Sequence, residues 1–135
     1  TGNNWSVSTS AGSYTQPFNV GVFDIGGNYS TSTYKFTAPV SGVYMFTHQC
    51  NAYGVGTDEI VRVEIVVNNV TFMVGQISGD TPIGTGDQYA TGSAYAYMSA
   101  GHTAEAKVNL LGGSSVGFSS DTNGTYNSFS GHFIG

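Results

Sequence analysis

Charged residues are scarce in this sequence. Only 8% of its 135 residues are Asp, Glu, Lys or Arg, and three basic residues, Lys35, Arg62 and Lys107, stand against eight acidic ones, for a formal net charge of -5. So few cations cannot form a patch that neutralises phosphates, which excludes nucleic acid and anionic membrane surfaces as expected partners. Exposed helix faces usually carry Glu, Lys, Gln and Arg, so their shortage argues against long amphipathic helices.

Cysteines and long apolar runs are also few. The single cysteine, Cys50, excludes an internal disulfide, and we expect it to be a small buried hydrophobic residue. No apolar run reaches the roughly 20 residues that a membrane-spanning helix needs. The opening residues TGNNWSVSTSAG have neither the charged start nor the apolar core of a signal peptide, so we expect a mature chain or an excised domain if the protein is exported.

Glycine and aromatic residues are abundant instead, at 20 Gly and 13% aromatics. Aromatic and β-branched residues in short runs separated by Gly, Asn and Asp are typical of an all-β sandwich or barrel. The length fits one domain with a single core. We expect residues 1–16 to form a polar arm or linker that can contribute an edge strand, and residues 17–135 to form the globular domain.

The clearest local prediction is a β-hairpin in the middle of the chain. EIVRVEIVV (Glu59 to Val67) and VTFMVGQI (Val70 to Ile77) flank Asn68-Asn69, and Asn tolerates the positive φ that two-residue turns require. TAEAKVNL (Thr103 to Leu110) alternates apolar with polar residues, which predicts a half-buried strand with Glu105, Lys107 and Asn109 outward. Further strands are predicted at 33–37, 42–49, 92–100, 115–118 and 127–134. Eight or more short antiparallel strands indicate a two-sheet sandwich, for which a jelly roll is a natural topology.

Seven residues stand at intervals that match a known signature: Phe18, Asp24, Tyr29, Phe36, Gly42, Tyr44 and Phe46. The signature runs Phe, five residues, Asn or Asp, four residues, an aromatic or Leu, six residues, Phe, five residues, then Gly-x-Tyr-x-Phe-x-aromatic. At each of these intervals the chain resembles the C1q globular domain, the jelly-roll module shared with the tumour necrosis factor superfamily. It departs from the pattern at His48, where the family usually has Phe or Tyr.

Two later stretches extend this resemblance over nearly the whole chain from about Phe18. YMSAGHTAEAKVNL is similar to a family segment with a Gly-Asp turn between strands, with His102 in place of the Asp, and NSFSGHFIG is similar to the closing Ser-x-Phe-x-Gly strand, with Ser128 directly before Phe129. Large aromatics would fill the space between two sheets, while Gly42 and Gly131 admit close approach of the backbone. The aromatics expected in the core are Phe18, Phe36, Tyr44, Phe46 and Phe129.

The resemblance implies a ten-stranded antiparallel jelly roll of the C1q and tumour necrosis factor type. It also implies a homotrimer, with one sheet edge and its aromatics buried about a threefold axis. No collagen-like Gly-x-y stretch is present, so any stalk would lie upstream of these residues. Three sites presented together would gain avidity for a repetitive target such as a cell surface.

The Gly-rich stretch SGDTPIGTGDQYATGS contains candidate calcium ligands. Asp80 and Asp87 supply carboxylates, and Gly and Pro free backbone carbonyls from the sheet, which together suit a hard oxygen-seeking ion. DQYATGS also resembles a family segment near which some members hold calcium at the trimer apex, which adds Gln88 as a weaker candidate. The alternative is that the two aspartates are solvated and cap local turns.

Aromatic residues in predicted loops are candidates for ligand binding. Tyr53 in QCNAYGVGTDE, Tyr89, and Tyr126 with Asn123 in DTNGTYN offer aromatic faces and amides, which are the groups that typically hold sugars. Packing in the core or in an interface is the alternative for each tyrosine.

Catalytic motifs do not occur. There is no Gly-x-Ser-x-Gly elbow, His-Glu-x-x-His or Walker-type loop, so we do not expect an enzyme. Our first hypothesis is a secreted, non-catalytic, trimeric recognition module of the kind used in innate immunity, lectin-like or pattern-recognising, that binds surface glycans or proteins through apical loops.

Two other functions remain open. The chain could be the structural or receptor-binding tip of a trimeric phage, viral or bacterial surface fibre, because a composition rich in Gly, Ser, Thr and Asn and poor in Lys is common in such tips. It could also be a cytokine-like receptor ligand. A collagen-like stalk or signal peptide upstream would favour the first hypothesis, and a β-helical or triple-stranded shaft would favour the fibre tip.

Overall fold

The chain folds as an all-β protein. A computed structural model describes residues 5–7, 11–19, 21, 24–79, 87–112, 116–119 and 126–135. These residues form eleven strands: β1 (Trp5–Val7), β2 (Gly12–Thr15), β3 (Tyr29–Ser30), β4 (Lys35–Thr37), β5 (Gly42–Tyr53), β6 (Ile60–Val67), β7 (Val70–Ser78), β8 (Gln88–Met98), β9 (Thr103–Leu111), β10 (Val116–Phe118) and β11 (Ser128–Phe133). The described part of the chain contains no helix that could span a membrane.

The strands form two antiparallel sheets. In sheet A, β5 pairs with β8 along one edge and with β10 and β11 along the other, and β1 pairs with β10. In sheet B the order is β3-β4-β9-β6-β7, and β2 also pairs with β9. The predicted all-β class and jelly-roll sandwich are confirmed, and several of the eleven strands are only two to four residues long.

The core lies between the two sheets. Alternate residues of β5, β6 and β9 point inward and are almost fully buried, as the period of two in a strand requires. Gly131 on β11 has no room for a side chain, because a Cβ there would overlap the Phe46 ring. Fully or nearly fully buried apolar residues include Tyr44, Phe46, Cys50, Ile65, Met98, Val108 and Phe118, so the expected burial of Cys50 is confirmed.

The spacing of the first signature residues has a local explanation. The Asp24 carboxylate accepts hydrogen bonds from the backbone N–H groups of Asn28, at 3.2 Å, and Tyr29, at 3.0 Å. It thereby closes a turn in which Gly26 and Gly27 have positive φ. The Tyr29 hydroxyl then donates to the carbonyl oxygen of Phe18, at 3.1 Å.

The predicted hairpin is present. Asn68 and Asn69 form the turn between β6 and β7 with φ of 46° and 68°, which confirms the role assigned to them. The register between the two strands shifts between Val63 and Glu64, where a β-bulge lies. Bulges disrupt the ladder locally and redirect main-chain and side-chain groups.

Candidate functional site

The outer face of sheet A is uncharged and rich in tyrosine. Along β8 every second residue is exposed, and Tyr95 and Tyr97 are 62% and 67% exposed. None of the three long strands β5, β8 and β11 contains Lys, Arg, Asp or Glu. We call this surface the tyrosine face: Val43, Met45, Thr47, Gln49, Tyr89, Thr91, Ser93, Tyr95, Tyr97, Ser128, Ser130 and His132.

The tyrosine face changes character along its length. Near Gly42 it is apolar, because Val43 pairs with Tyr97 and Met45 pairs with Tyr95. In the middle it is hydroxylic, and the Thr47 and Ser93 hydroxyls lie 3.0 Å apart. Exposed apolar surface of this kind commonly marks an interaction site.

At its other end, the tyrosine face brings two predicted site residues to the same row. Tyr89 pairs with Asn51, and the Gln49 side-chain amide donates to the Tyr126 carbonyl at 3.5 Å. Tyr126 belongs to the bend that precedes β11, whose first residue, Ser128, pairs with Gln49, and the next residue, Asn127, accepts the Asn51 N–H through its side chain at 2.8 Å. We call Tyr89, Asn51 and Tyr126 the Asn51 row.

Asn51 is the site residue that the sequence reasoning missed. It is fully buried although alternation points it toward the tyrosine face, and neither of its side-chain amide atoms has a hydrogen-bond partner within the described structure. A buried amide without partners costs free energy, and such groups in native proteins call for a water or a ligand. The sequence signal was an Asn in the interior of a strand, a residue that strands disfavour.

Two of the predicted ligand-binding residues, Tyr53 and Tyr89, lie in strands and not in loops. Tyr53 and Tyr89 were predicted to lie in loops, but Tyr53 ends β5, where it pairs with Gly117 of β10, and Tyr89 lies within β8, where it pairs with Asn51 of β5. The Tyr53 ring packs on Gly117 of β10, where an added Cβ would overlap it. Asn123 lies outside the described residues.

Two of the three candidate calcium ligands, Asp87 and Gln88, lie near the same end of sheet A. Asp87 is exposed and immediately precedes β8, and Gln88 pairs with Ala52. Asp80 lies outside the described residues. Among the residues that the structure describes, no group of three His, Cys, Asp or Glu side chains is positioned to hold a metal.

The outer face of sheet B contains the charges that sheet A lacks. Glu105 points outward as predicted, but it is buried because Lys35 lies 3.3 Å from one carboxylate oxygen and the Thr15 hydroxyl donates to the other at 2.6 Å. On the same face Asn109 donates to the Glu64 carboxylate at 3.2 Å. This arrangement is a structural charge cluster, because its groups partner one another.

His48, where the chain departs from the signature, lies in the core. Its ring nitrogens are 3.0 Å from the Glu64 carbonyl oxygen and 2.8 Å from Gln16 Oε1, and the Phe18 ring approaches edge-on. Burial lowers the pKa of His48 to about 4, although the hydrogen bond to Glu64 opposes the shift. The imidazole thus fills the position of an aromatic ring and also joins the two sheets by a polar contact.

Comparison with known proteins agrees with this architecture. A model of the C1q domain family matches residues 4–134. The globular domain of zebrafish complement 1qA protein is similar in structure, with a TM-score of 0.59 and 18% identity over 97% of this chain and 96% of that chain. Eiger TNF from S. frugiperda is also similar, with a TM-score of 0.51 and 13% identity over 87% of this chain and 86% of that chain. No curated protein matches the sequence.

At these identities the solved structures show a shared fold. The family assignment depends on the model that spans nearly all of the chain, and it agrees with the aromatic signature, the Asp24 turn and the Gly131 contact described above. The chain therefore belongs to the C1q domain family.

Proposed function

We propose that this chain is a non-catalytic, extracellular recognition module that assembles as a homotrimer and binds surface glycans through the Asn51 row. The observation that carries the proposal is the arrangement of that row. Tyr89, 55% exposed, pairs with a buried Asn51 whose side-chain amide is unpartnered within the described structure, and Tyr126, 41% exposed, directly precedes Asn127, whose side chain accepts the Asn51 N–H.

Family membership supports the general part of this proposal. C1q domains typically form trimers and serve as recognition or ligand modules, are generally non-enzymatic, and usually belong to extracellular proteins. In this chain the apolar end of the tyrosine face, with Val43, Tyr95 and Tyr97 exposed, is the surface that further copies of the chain would cover. Tyrosine is enriched in protein interfaces, and burying these rings would remove apolar surface from water.

The chemistry of the Asn51 row suits a neutral sugar. Exposed tyrosine rings offer flat apolar faces and a hydroxyl, while Thr91 and Ser128 in the adjacent row provide further hydroxyls for hydrogen bonds. A ligand hydroxyl or an ordered water that reached the Asn51 amide would satisfy groups that are unpartnered in the described structure. The three long strands of sheet A supply no charge, so a charged ligand would find no partner on them.

Glycan binding by the whole domain tests the proposal. We would screen the labelled domain against a glycan array and measure the affinity of a bound sugar by calorimetry. Replacing Tyr89 or Tyr126 by Ala should weaken binding about tenfold, because ring stacking on the sugar is lost. Ile25→Ala, at an apolar residue exposed in a turn away from sheet A, is the matched control. A bound glycan whose affinity is unchanged in both tyrosine variants would contradict the assignment of the site.

Calcium at the same end is a second element of the proposal. Asp87 lies directly before Gln88 and Tyr89, so an ion held there would lie next to the Asn51 row. Asp80 is the other candidate ligand. Carboxylates and backbone carbonyls are the donors that calcium prefers.

The fibre-tip hypothesis predicts the same assembly but no glycan binding. A tip would use the tyrosine face for assembly in the same way, and the low charge of the chain favours this reading as well. A domain that is trimeric in solution and binds no glycan on the array would favour a fibre tip or a protein receptor.

A further inference from the structure

A chain of hydrogen bonds connects His48 to the segment that carries Tyr126. His48 Nε2 lies 2.8 Å from Gln16 Oε1, and Gln16 Nε2 donates to Asn127 Oδ1 at 3.0 Å. The same Asn127 oxygen accepts the backbone N–H of Asn51 at 2.8 Å. The chain therefore joins β5, the segment after β2 and the residue that precedes β11.

Backbone groups fix the direction of this hydrogen-bond chain. The Asn51 N–H can only donate, so the Asn127 atom beside it is the oxygen, and Asn127 Nδ2 donates to the Ser119 carbonyl. Gln16 must then present its NH2 group to the Asn127 oxygen, which leaves its own oxygen facing His48. An amide oxygen can only accept, so His48 Nε2 must donate.

The other ring nitrogen of His48, Nδ1, must also donate a hydrogen bond. Nδ1 lies 3.0 Å from the Glu64 carbonyl oxygen, beside the β-bulge of β6, and a carbonyl can only accept. Both ring nitrogens must therefore carry protons for every contact to be a hydrogen bond. A neutral imidazole has one N–H and leaves one contact between two lone pairs, whereas an imidazolium satisfies both.

The surroundings of the ring provide no counter-charge within the described residues. Phe18 approaches from the N-terminal segment, Phe129 pairs with His48 on β11, and Gly92 pairs with it on β8. From β6, Glu64 offers only its carbonyl, because its carboxylate accepts from Asn109 on the outer face of sheet B.

The nearby titratable groups are neutral. Cys50, the next inward residue on β5, has its thiol pKa raised to about 12 by burial, and burial also raises the pKa of the Tyr29 hydroxyl, which donates to the Phe18 carbonyl. At neutral pH the burial of His48 therefore favours the neutral ring, in conflict with the two acceptors that face it.

Loss of the second proton has a defined consequence. The Glu64 carbonyl is fixed in the main chain, so Nδ1 keeps its proton and Nε2 becomes an acceptor. Gln16 must then turn its NH2 group toward His48, which places its oxygen against the Asn127 oxygen. Because two oxygens without a proton between them repel each other, the hydrogen bond between Gln16 and Asn127 is lost. The loss occurs at Asn127, the residue next to Tyr126.

We propose that His48 is a proton-operated latch that joins Gln16 to Asn127 when the ring is doubly protonated and breaks the Gln16–Asn127 hydrogen bond when the ring is neutral, leaving Asn127 held by the Asn51 N–H and the Ser119 carbonyl alone. The latch regulates the Asn51 row, because Asn127 binds the Asn51 N–H and directly follows Tyr126. Only this last step depends on the proposed function. The latch itself is a property of the domain without ligand.

Nuclear magnetic resonance of the isotope-labelled, ligand-free domain tests the latch directly. At pH 7 the His48 ring should show one slowly exchanging N–H, at Nδ1, and below about pH 4 it should show two. The side-chain amide signals of Gln16 and Asn127, and the ring signals of Tyr126, should shift with the same midpoint. This titration uses the wild-type chain, so it does not depend on whether a variant folds.

Two variants sharpen the test. Gln16→Glu places a carboxylate beside the ring, which should raise the midpoint of His48 by about one to three units, while the lost NH2 group should uncouple Asn127 from the titration. In His102→Asn another histidine is replaced by a residue that can still accept the Ser99 N–H, and here the Asn127 response should be unchanged.

The possible results separate the latch from the recognition proposal. Two ring N–H signals at pH 7, or Gln16 and Asn127 signals that do not follow His48, would overturn the latch whatever the domain binds. A titration as expected in a domain that binds no glycan would support the latch and contradict the recognition proposal. Glycan binding through Tyr126 together with an unresponsive Asn127 would do the reverse.

Discussion

The imidazole of His48 in sheet A lies 3.0 Å from the main-chain carbonyl of Glu64 in sheet B. This contact crosses a core otherwise packed with apolar side chains and stacked aromatic rings. A phenylalanine in the same place would fill the space without joining the sheets by a hydrogen bond. A titratable imidazole therefore stands where the family signature has an aromatic ring. The free energy of unfolding of the domain should depend on pH for this reason.

Acidification should destabilise the domain through His48. Its pKa is about 4 in the folded chain against an ordinary 6.5, so the unfolded chain binds more protons between these values. Stability should be highest above about pH 6.5 and fall toward pH 4, by about 3 kcal/mol at most from this residue. Urea unfolding at fixed protein concentration, compared with His48→Phe, measures the effect. An equal pH dependence in the two proteins would contradict it.

Gly131→Ala should destabilise the fold by about 1 to 3 kcal/mol, because the added methyl group would overlap the Phe46 ring and disturb its stack on Phe129. Gly21→Ala is the matched control, since nothing lies within 4 Å of a Cβ at that position. Thermal unfolding at one protein concentration would compare the variants with the wild type. Equal midpoints for Gly131→Ala and the wild type would show that the Phe46 ring can move aside.

Tyr97→Glu should prevent assembly of the proposed homotrimer. The substitution introduces a charge from each copy into an apolar interface, where desolvating the carboxylates is unfavourable. Light scattering should give the mass of three chains for the wild type and of one chain for the variant. Ile25→Glu adds the same charge to a turn outside sheet A and should remain trimeric. A wild-type domain that is monomeric at all concentrations would contradict the trimer.

Calcium should raise the thermal midpoint of the wild-type domain, since a ligand that binds only the folded state stabilises it. Asp87→Asn should reduce this increase, because the substitution removes a carboxylate that we propose binds the ion. Asp58→Asn, on a turn between β5 and β6, changes the charge equally and should retain the increase. If added calcium and a chelator give the same midpoint and the same mass in solution, no structural ion is bound at Asp87.

Local sequence patterns correctly predicted several strands and the hairpin turn. The hairpin at Asn68-Asn69 and the alternation along β9 follow from the period of two in strands and from the positive φ that Asn tolerates. Tyr53 and Tyr89 were wrongly predicted to lie in loops, because pairing of Tyr53 with Gly117 of β10 and of Tyr89 with Asn51 of β5 extends β5 and β8 beyond their apolar runs. Pairing partners that lie far apart in the chain leave no local signal at such strand ends.

The sequence by itself determined the all-β class, the aromatic core and the family signature, because apolar periodicity, turn residues and spacing act over short distances along the chain. Only the tertiary structure decided which polar groups meet. It pairs Asn51 with Tyr89 and places Lys35 in an ion pair with Glu105. It also places Gln16 between His48 and Asn127, within hydrogen-bond distance of both. The hydrogen-bond roles in that last contact depend on fixed main-chain donors and acceptors from distant strands. The conflict between the two acceptors that face His48 and the neutral ring that its burial favours therefore arises only when the two sheets pack together.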